Sequence, residues 1–146
     1  MPDLIDEMIR GRKLERVPRN SPHALRVLLT AHQHLETAQI LAGTEDQAMA
    51  FTAAYDAARK SLAAVLASEG LRARPVGGAH RNTALAAAVF LSDPSLEDFD
   101  WMRQVRNSTE YPDADRPTAT RADVTEAIEA ARAIVRCCRL YVEGAS

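Results

Sequence analysis

Hydrophobic residues recur at spacings of three and four along most of the chain, which is the period of helices that bury one face. The most regular stripe consists of Ala48, Phe51, Tyr55, Ala58, Leu62 and Val65. Similar stripes precede and follow it, the last of them comprising Val124, Ile128, Ala131, Val135 and Cys138. No segment shows the strict alternation of a half-buried strand or the turn of a β-hairpin. The pattern therefore predicts an all-α protein.

Capping residues and helix breakers divide these stripes into an up-and-down bundle of four to five helices. The pair Ser21-Pro22 is typical of a helix start, and Gly43 is typical of a helix end. Residues 44–47 fit a capping box and open the second helix, which ends near Gly70. The remaining breaks, in chain order, are a loop over residues 71–79, the Asp93-Pro94 pair and a loop between Pro112 and Pro117.

The first twenty residues differ from the rest of the chain in composition. Charged side chains dominate them, and apolar residues are scarce after Ile9. We predict a flexible N-terminal arm over residues 1–20, followed by one helical-bundle domain over residues 21–146. A length of 146 residues suits a single domain with a hydrophobic core of its own.

The overall charge limits the classes of function. The net charge is −2 at pH 7 and the sequence pI is about 6.1, so the chain as a whole is not basic. Any contact with phosphate must therefore come from a local cluster of arginines.

The only cysteines, Cys137 and Cys138, are adjacent, which predicts reduced thiols. With no run of about 18 apolar residues, the chain is expected to be cytoplasmic and not attached to a membrane.

One polar segment, from Arg103 to Tyr111, lies at the end of the predicted fourth helix. Arg103 and Arg106 are three residues apart, so their guanidiniums share a face of that helix. Asn107 and Glu110 follow in the same segment. Arginine forks bind phosphate well, although the C-terminal end of a helix also stabilises a cation without any ligand. The segment therefore has two interpretations, phosphate binding and the capping of helix carbonyls.

Here the chain resembles the HEPN superfamily. The resemblance spans about residues 21–143 and consists of two long helices, a shorter third, a helix that ends in a polar motif, and a long final helix. The family signature is an arginine followed by a polar residue and, a few positions later, a histidine. In this sequence Arg106-Asn107 is followed by Tyr111 in the place of the histidine, with four residues between Arg106 and Tyr111.

The resemblance implies a metal-independent ribonuclease site that two copies of the motif form across a homodimer. Tyr111 departs from this pattern, because a phenol with an ordinary pKa near 10 is only about 0.1% ionised at pH 7. Loss of general acid–base catalysis lowers a rate by about 10²–10⁴-fold. We therefore expect a degenerate site at Arg106 and Tyr111 that binds RNA or a nucleotide rather than cleaving RNA efficiently.

A second arginine–histidine pair lies around the start of the predicted third helix. Five residues separate Arg74 from His80, and Arg81 adds a further positive charge. The family motif does not lie at this position, and a solvated loop is the ordinary interpretation. If the loop folds over the cleft, His80 replaces the missing proton carrier, and Arg74, His80 and Arg81 become binding residues.

The resemblance also implies a toxin–antitoxin, defence or stress setting, with a partner protein encoded nearby. A non-catalytic helical adaptor that docks a partner protein is the alternative, favoured by the acidic charge and the missing histidine.

We expect no cofactor and no metal site, because His32 and His34 lie on different sides of their helix. Apolar area at Phe99, Trp101 and Met102 is expected to require a second copy of the chain.

Overall fold

The computed structural model of the protein describes residues 3–110 and 118–145 and confirms the all-α prediction. Its elements, in chain order, are α1 (Leu4–Arg10), β1 (Leu14–Arg16), α2 (Ser21–Ala42), α3 (Gln47–Ser68), β2 (Leu71–Ala73), α4 (Ala79–Phe90), α5 (Asp98–Glu110) and α6 (Arg121–Ala145). A short 3₁₀ helix, Pro94–Glu97, leads into α5. The predicted loop between Pro112 and Pro117 lies outside the described residues.

Helix α3 is the centre of the bundle. It packs against α2, α4, α5 and α6, and its buried residues lie on nearly every side rather than along one stripe. Small side chains make this possible, because the distance between two packed helices depends on the residues at their contact. The alanines of α3 that have no exposed surface are Ala50, Ala54, Ala57, Ala58 and Ala64.

The N-terminal caps of α2 and α3 lie one and two residues from their predicted positions. Asn20, not Ser21, caps α2, and its side-chain oxygen accepts a hydrogen bond from a backbone N–H three residues later at 3.0 Å. Asp46, not Thr44, caps α3 in the same way at 3.1 Å. Each side chain supplies the acceptor that the free N–H groups of a helix start require. The apolar period thus located both helices, and only their capping residues were misassigned.

The N-terminal residues pack against the bundle, and here the structure differs from the predicted flexible arm of residues 1–20. Helix α1 buries Ile5 and Met8, and β1 buries Leu14, which is 1% exposed. Strands β1 and β2 pair in antiparallel orientation, with Leu14 opposite Ala73. The prediction failed because the apolar residues of this segment are spread among charged ones. A strand of three residues is also too short to show the alternation that indicates a β-strand.

A glycine allows this small sheet to approach the end of α3. Gly70 has a φ of +71°, and a Cβ atom at this position would lie 2.8 Å from the carbonyl oxygen of Val17. The backbone N–H of Val17 donates to the carbonyl oxygen of Gly70 at 2.9 Å. Only glycine combines the left-handed backbone with so close an approach. Gly70 therefore both follows the end of α3 and lets the N-terminal segment dock there.

Helix α5 packs against α3 through contacts between aromatic rings. Trp101 meets Phe51 edge to face with 5.8 Å between ring centroids, and Phe99 stacks on Tyr55 at 5.3 Å. Phe99 is 2% exposed and Met102 is fully buried. These two residues belong to the core of a single chain, so the prediction that they form an uncovered apolar surface is wrong. Their packing holds α5 in place beside the start of α4.

Candidate functional site

The start of α4 and one face of α5 form an open cleft with a volume of about 330 Å³. His80 and Arg81 line it from α4, and Arg103 and Asn107 line it from α5. The turn that precedes α4 completes the wall. Four predicted site residues, which lie in two separate segments of the sequence, therefore surround one cavity.

The side chain of His80 forms a hydrogen bond with a buried tyrosine of α3, Tyr55. The hydroxyl oxygen of Tyr55 lies 3.0 Å from Nδ1 of His80, and Tyr55 has no exposed surface. Burial raises the pKa of Tyr55 to about 12, so the phenol keeps its proton at neutral pH. Because Nδ1 is engaged with the phenol, any contact of the imidazole with a ligand involves the other ring nitrogen, Nε2.

Positive charge surrounds this imidazole. Burial lowers the pKa of His80 below its ordinary value of 6.5, and the guanidiniums of Arg59 and Arg106 lower it further. Arg103 acts in the same direction, whereas the carboxylate of Asp56 opposes them. His80 is therefore mainly neutral at pH 7. A neutral imidazole among several guanidiniums is an arrangement that favours the binding of an anion.

Each of these three arginines pairs with a carboxylate on its own helix. The pairs and their N···O distances are Arg59 with Asp56 at 3.3 Å, Arg103 with Asp100 at 2.9 Å, and Arg106 with Glu110 at 2.7 Å. Pairs between neighbouring turns of one helix contribute only about 0.3–0.5 kcal/mol. A ligand with a phosphate group can therefore compete with the carboxylates for the guanidiniums.

The family model described as HEPN domain matches residues 24–141, which is most of the chain. The chain belongs to the HEPN domain family. No curated protein and no solved structure matches it. The matched region runs from α2 into α6, so the segment formed by α1 and β1 lies before it.

Arg106, which the sequence analysis assigned to the family motif, is not among the described residues that line the cleft. Its guanidinium carbon lies 5.8 Å from the centroid of the Tyr55 ring, and Nη1 forms an ion pair with a carboxylate oxygen of Glu110 at an N···O distance of 2.7 Å. Its Nε is buried and has no hydrogen-bond partner within the described parts of the chain. Tyr111 lies outside the described residues. Arg103 is thus the arginine of α5 that lines the cavity.

Two residues that act on His80, Tyr55 and Arg59, were absent from the predicted set. Tyr55 belongs to the apolar stripe of α3, and its position predicts a core residue, which it is. Arg59 lies four residues later, so the two side chains share a face of α3. Its Nε is also buried without a partner in the described structure. A phenol and a guanidinium at this spacing inside an apolar helix are the signal that could have indicated a polar site.

Two other predicted site residues, Arg74 and Glu110, are not among the described residues that line the cleft. Arg74 follows β2, and its backbone N–H donates to the carbonyl oxygen of Lys13 at 3.0 Å. Arg74 is therefore held by the small sheet rather than placed beside the cavity.

In residues 3–110 and 118–145, no three histidine, cysteine or carboxylate side chains are grouped closely enough to hold a metal ion. None of the described helices has the length and apolar character that crossing a membrane requires.

Proposed function

We propose that this HEPN domain binds RNA or a nucleotide through its phosphate groups, in the cleft between α4 and α5. The observation that carries the proposal is the convergence of Arg81, Arg103, Asn107 and His80 on one open cavity. A guanidinium binds phosphate oxygens through a planar fork of donors, and amide and imidazole groups add further N–H donors. Membership of a family that is commonly related to nucleotides and RNA favours the same ligand class.

The ion pair at Arg103 leaves donors for a phosphate. Its Nε and Nη2 groups both donate to one carboxylate oxygen of Asp100, at 3.2 and 2.9 Å. A guanidinium has five N–H donors, which is more than this contact uses. The Asp100 side chain is 56% exposed, so water screens the attraction between the two charges. A phosphodiester can therefore bind Arg103 without first breaking the pair.

The family motif itself supports binding better than catalysis. Arg106 and Tyr111 together offer no group that titrates near neutral pH, because the phenol stands where the family has an imidazole. We propose that the metal-independent ribonuclease site of the family is degenerate at these two residues. Cleavage of RNA then requires a proton carrier from another part of the domain.

RNA binding at two salt concentrations tests this function. A fluorescein-labelled oligoribonucleotide of mixed sequence should bind the purified protein, as measured by fluorescence anisotropy. The logarithm of the affinity should fall with the logarithm of the salt concentration, with a slope of about 0.7 for each phosphate neutralised. If the probe does not bind even at low salt, the cleft is not a phosphate site. The non-catalytic adaptor that docks a partner protein then becomes the better interpretation.

We also propose that the chain forms a homodimer. Apolar side chains are exposed on two neighbouring helices, with Leu25 and Leu29 of α2 at 37% and 66% and Leu140 of α6 at 59%. Burial of apolar surface contributes about 25 cal/mol per Å², so a second copy that covers these residues would be stabilised. Light scattering at micromolar concentration should report about twice the 16.0 kDa mass of one chain. A particle of 16.0 kDa would contradict the proposal.

The setting that we propose from family membership is a cytoplasmic toxin–antitoxin, defence or stress system. The cysteines Cys137 and Cys138 are free thiols, which agrees with a reducing compartment. The proposal includes a cognate partner protein. Co-purification of the tagged chain with the product of a neighbouring gene tests for this partner.

A further inference from the structure

We propose that an apolar pocket beside the cleft binds the base of a nucleotide whose phosphate lies in the cleft, and that this pocket prefers a base with an amino group. The inference rests on the proposed function, because it requires a phosphate group between α4 and α5. It names the ligand as a nucleotide unit. The cleft by itself would bind a sugar phosphate equally well.

The apolar pocket lies between the same two helices as the cleft, about one turn further from the start of α4. Its volume is about 220 Å³. The apolar side chains that line it are those of Leu62, Ala84, Leu85, Ala88, Leu96 and Phe99. Pockets for complete drug-sized ligands have volumes of about 300–1,000 Å³, so this one suits a smaller apolar group, such as a single planar base.

The pocket and the cleft adjoin each other. Arg81 lines both of them. On α5, Asp100 lines the pocket and Arg103 lines the cleft, and their side chains form an ion pair at 2.9 Å. These two residues are three positions apart, which corresponds to roughly 4.5 Å along a helix. A single ribose ring separates the base from the phosphate in a nucleotide, so one nucleotide can reach both cavities.

Asp100 is the carboxylate of the pocket, and it has room for one more hydrogen bond. Its Oδ1 accepts from Nε and Nη2 of Arg103, and its Oδ2 accepts from Nε2 of Gln104 at 2.8 Å. A carboxylate has about four acceptor sites, so these contacts leave one for a ligand. The hydrogen bond from Arg103 lowers the pKa of Asp100, and the charge of Arg81 lowers it further. The acceptor is therefore ionised at neutral pH.

A carboxylate that faces the edge of a base discriminates between amino and carbonyl groups. The amino group of cytosine, adenine or guanine donates a hydrogen bond to it, whereas a carbonyl oxygen of uracil repels it. Cytosine and uracil are nearly equal in size, and cytosine has an amino group where uracil has a carbonyl. The pocket should therefore prefer cytosine to uracil, and this preference should depend on Asp100.

Competition with the labelled oligoribonucleotide, followed by fluorescence anisotropy, measures the contribution of the base. Cytidine 5′-monophosphate, uridine 5′-monophosphate and ribose 5-phosphate carry the same phosphate group, so differences in their Kd values report the base. The uridine nucleotide should bind about tenfold more tightly than ribose 5-phosphate, the change expected when roughly 60 Å² of apolar surface is covered. The cytidine nucleotide should bind about tenfold more tightly again, because it adds a hydrogen bond to a charged group.

Two variants test the pocket itself. In Asp100→Asn the Kd values of the two nucleotides should become similar, because the amide of asparagine can donate to a carbonyl oxygen. Ala88→Phe places an aromatic ring in the pocket, so the Kd of the cytidine nucleotide should approach that of ribose 5-phosphate. Ala122→Phe is the matched control. Ala122 is exposed on α6 and is not among the described residues that line either cavity, so this variant should keep the full differences.

Oligomers of cytidylate and of uridylate distinguish a residue of RNA from a free nucleotide. A preference for cytosine in both the oligomers and the mononucleotides would assign the pocket to a residue of RNA. The same preference in the mononucleotides alone would assign it to a free nucleotide. Either result supports the inference.

Three results would overturn the inference and leave the binding of phosphate intact. The first is equal competition by ribose 5-phosphate and the two nucleotides, and the second is equal affinity for the two nucleotides. The third is a preference for cytosine that persists in both Asp100→Asn and Ala88→Phe, because the base would then lie elsewhere. If the labelled oligoribonucleotide does not bind at all, the proposed function fails together with this inference.

Discussion

Replacement of Arg103 by glutamate should weaken RNA binding by about 100-fold. Arg103 is the arginine of α5 that lines the cleft. The substitution removes a hydrogen-bonded contact between a guanidinium and a phosphate, which contributes about 1.5–3 kcal/mol, or roughly 10- to 150-fold in affinity. It also adds repulsion between a carboxylate and the phosphate. Fluorescence anisotropy with the labelled oligoribonucleotide measures the change in Kd.

The control for this substitution makes the same change in charge on another face of the protein. Arg16 lies on β1, its side chain is 65% exposed, and it pairs with Asp6 at 3.2 Å. Arg16→Glu alters the net charge as Arg103→Glu does, but it lies outside the cleft and outside the proposed dimer surface, so it should leave the Kd close to that of the wild type. Similar losses in the two variants would mean that RNA responds to the net charge of the domain rather than to the cleft.

The long helices could be predicted because each repeats one apolar spacing over many turns. Helices α2 and α3 have 22 residues each, so a single misplaced residue does not obscure the period. The sheet between β1 and β2 could not be predicted in this way. Its strands have three residues each, and buried Leu14 lies directly between Lys13 and Glu15. Pairing of segments so far apart in sequence depends on the packed bundle and not on local pattern.

The candidate site was only half predictable, for a similar reason. Arg103 and Asn107 are neighbours on one helix, so their common face follows from helix geometry alone. His80 entered the prediction through its spacing from Arg74, which does not line the cleft, and its position beside α5 depends on how α4 packs. Tyr55 meets His80 across 25 residues of sequence. A tyrosine in an apolar stripe predicts a core residue, and only the packing of α3 against α4 reveals a partner for its hydroxyl.

Truncation of Phe51 to alanine should lower the free energy of unfolding by about 3–5 kcal/mol. The ring is completely buried and meets Trp101 edge to face at 5.8 Å, so its removal leaves a cavity between α3 and α5. Urea denaturation followed by circular dichroism measures the loss. Ile40→Ala is the control, because Ile40 is 72% exposed on α2 and its truncation should change stability by less than about 0.5 kcal/mol.

The same variant tests whether the position of α5 determines the geometry of the cleft. With Phe51 removed, Trp101 loses its aromatic partner on α3, and the stacking of Phe99 on Tyr55 remains as the main aromatic contact between the two helices. The folded fraction of the variant should then bind RNA more weakly than the wild type, because α5 supplies Arg103 to the cleft. If Phe51→Ala is as stable as Ile40→Ala, α5 does not rest on α3 through this ring. If the variant is destabilised but binds RNA with full affinity, the cleft does not depend on this contact.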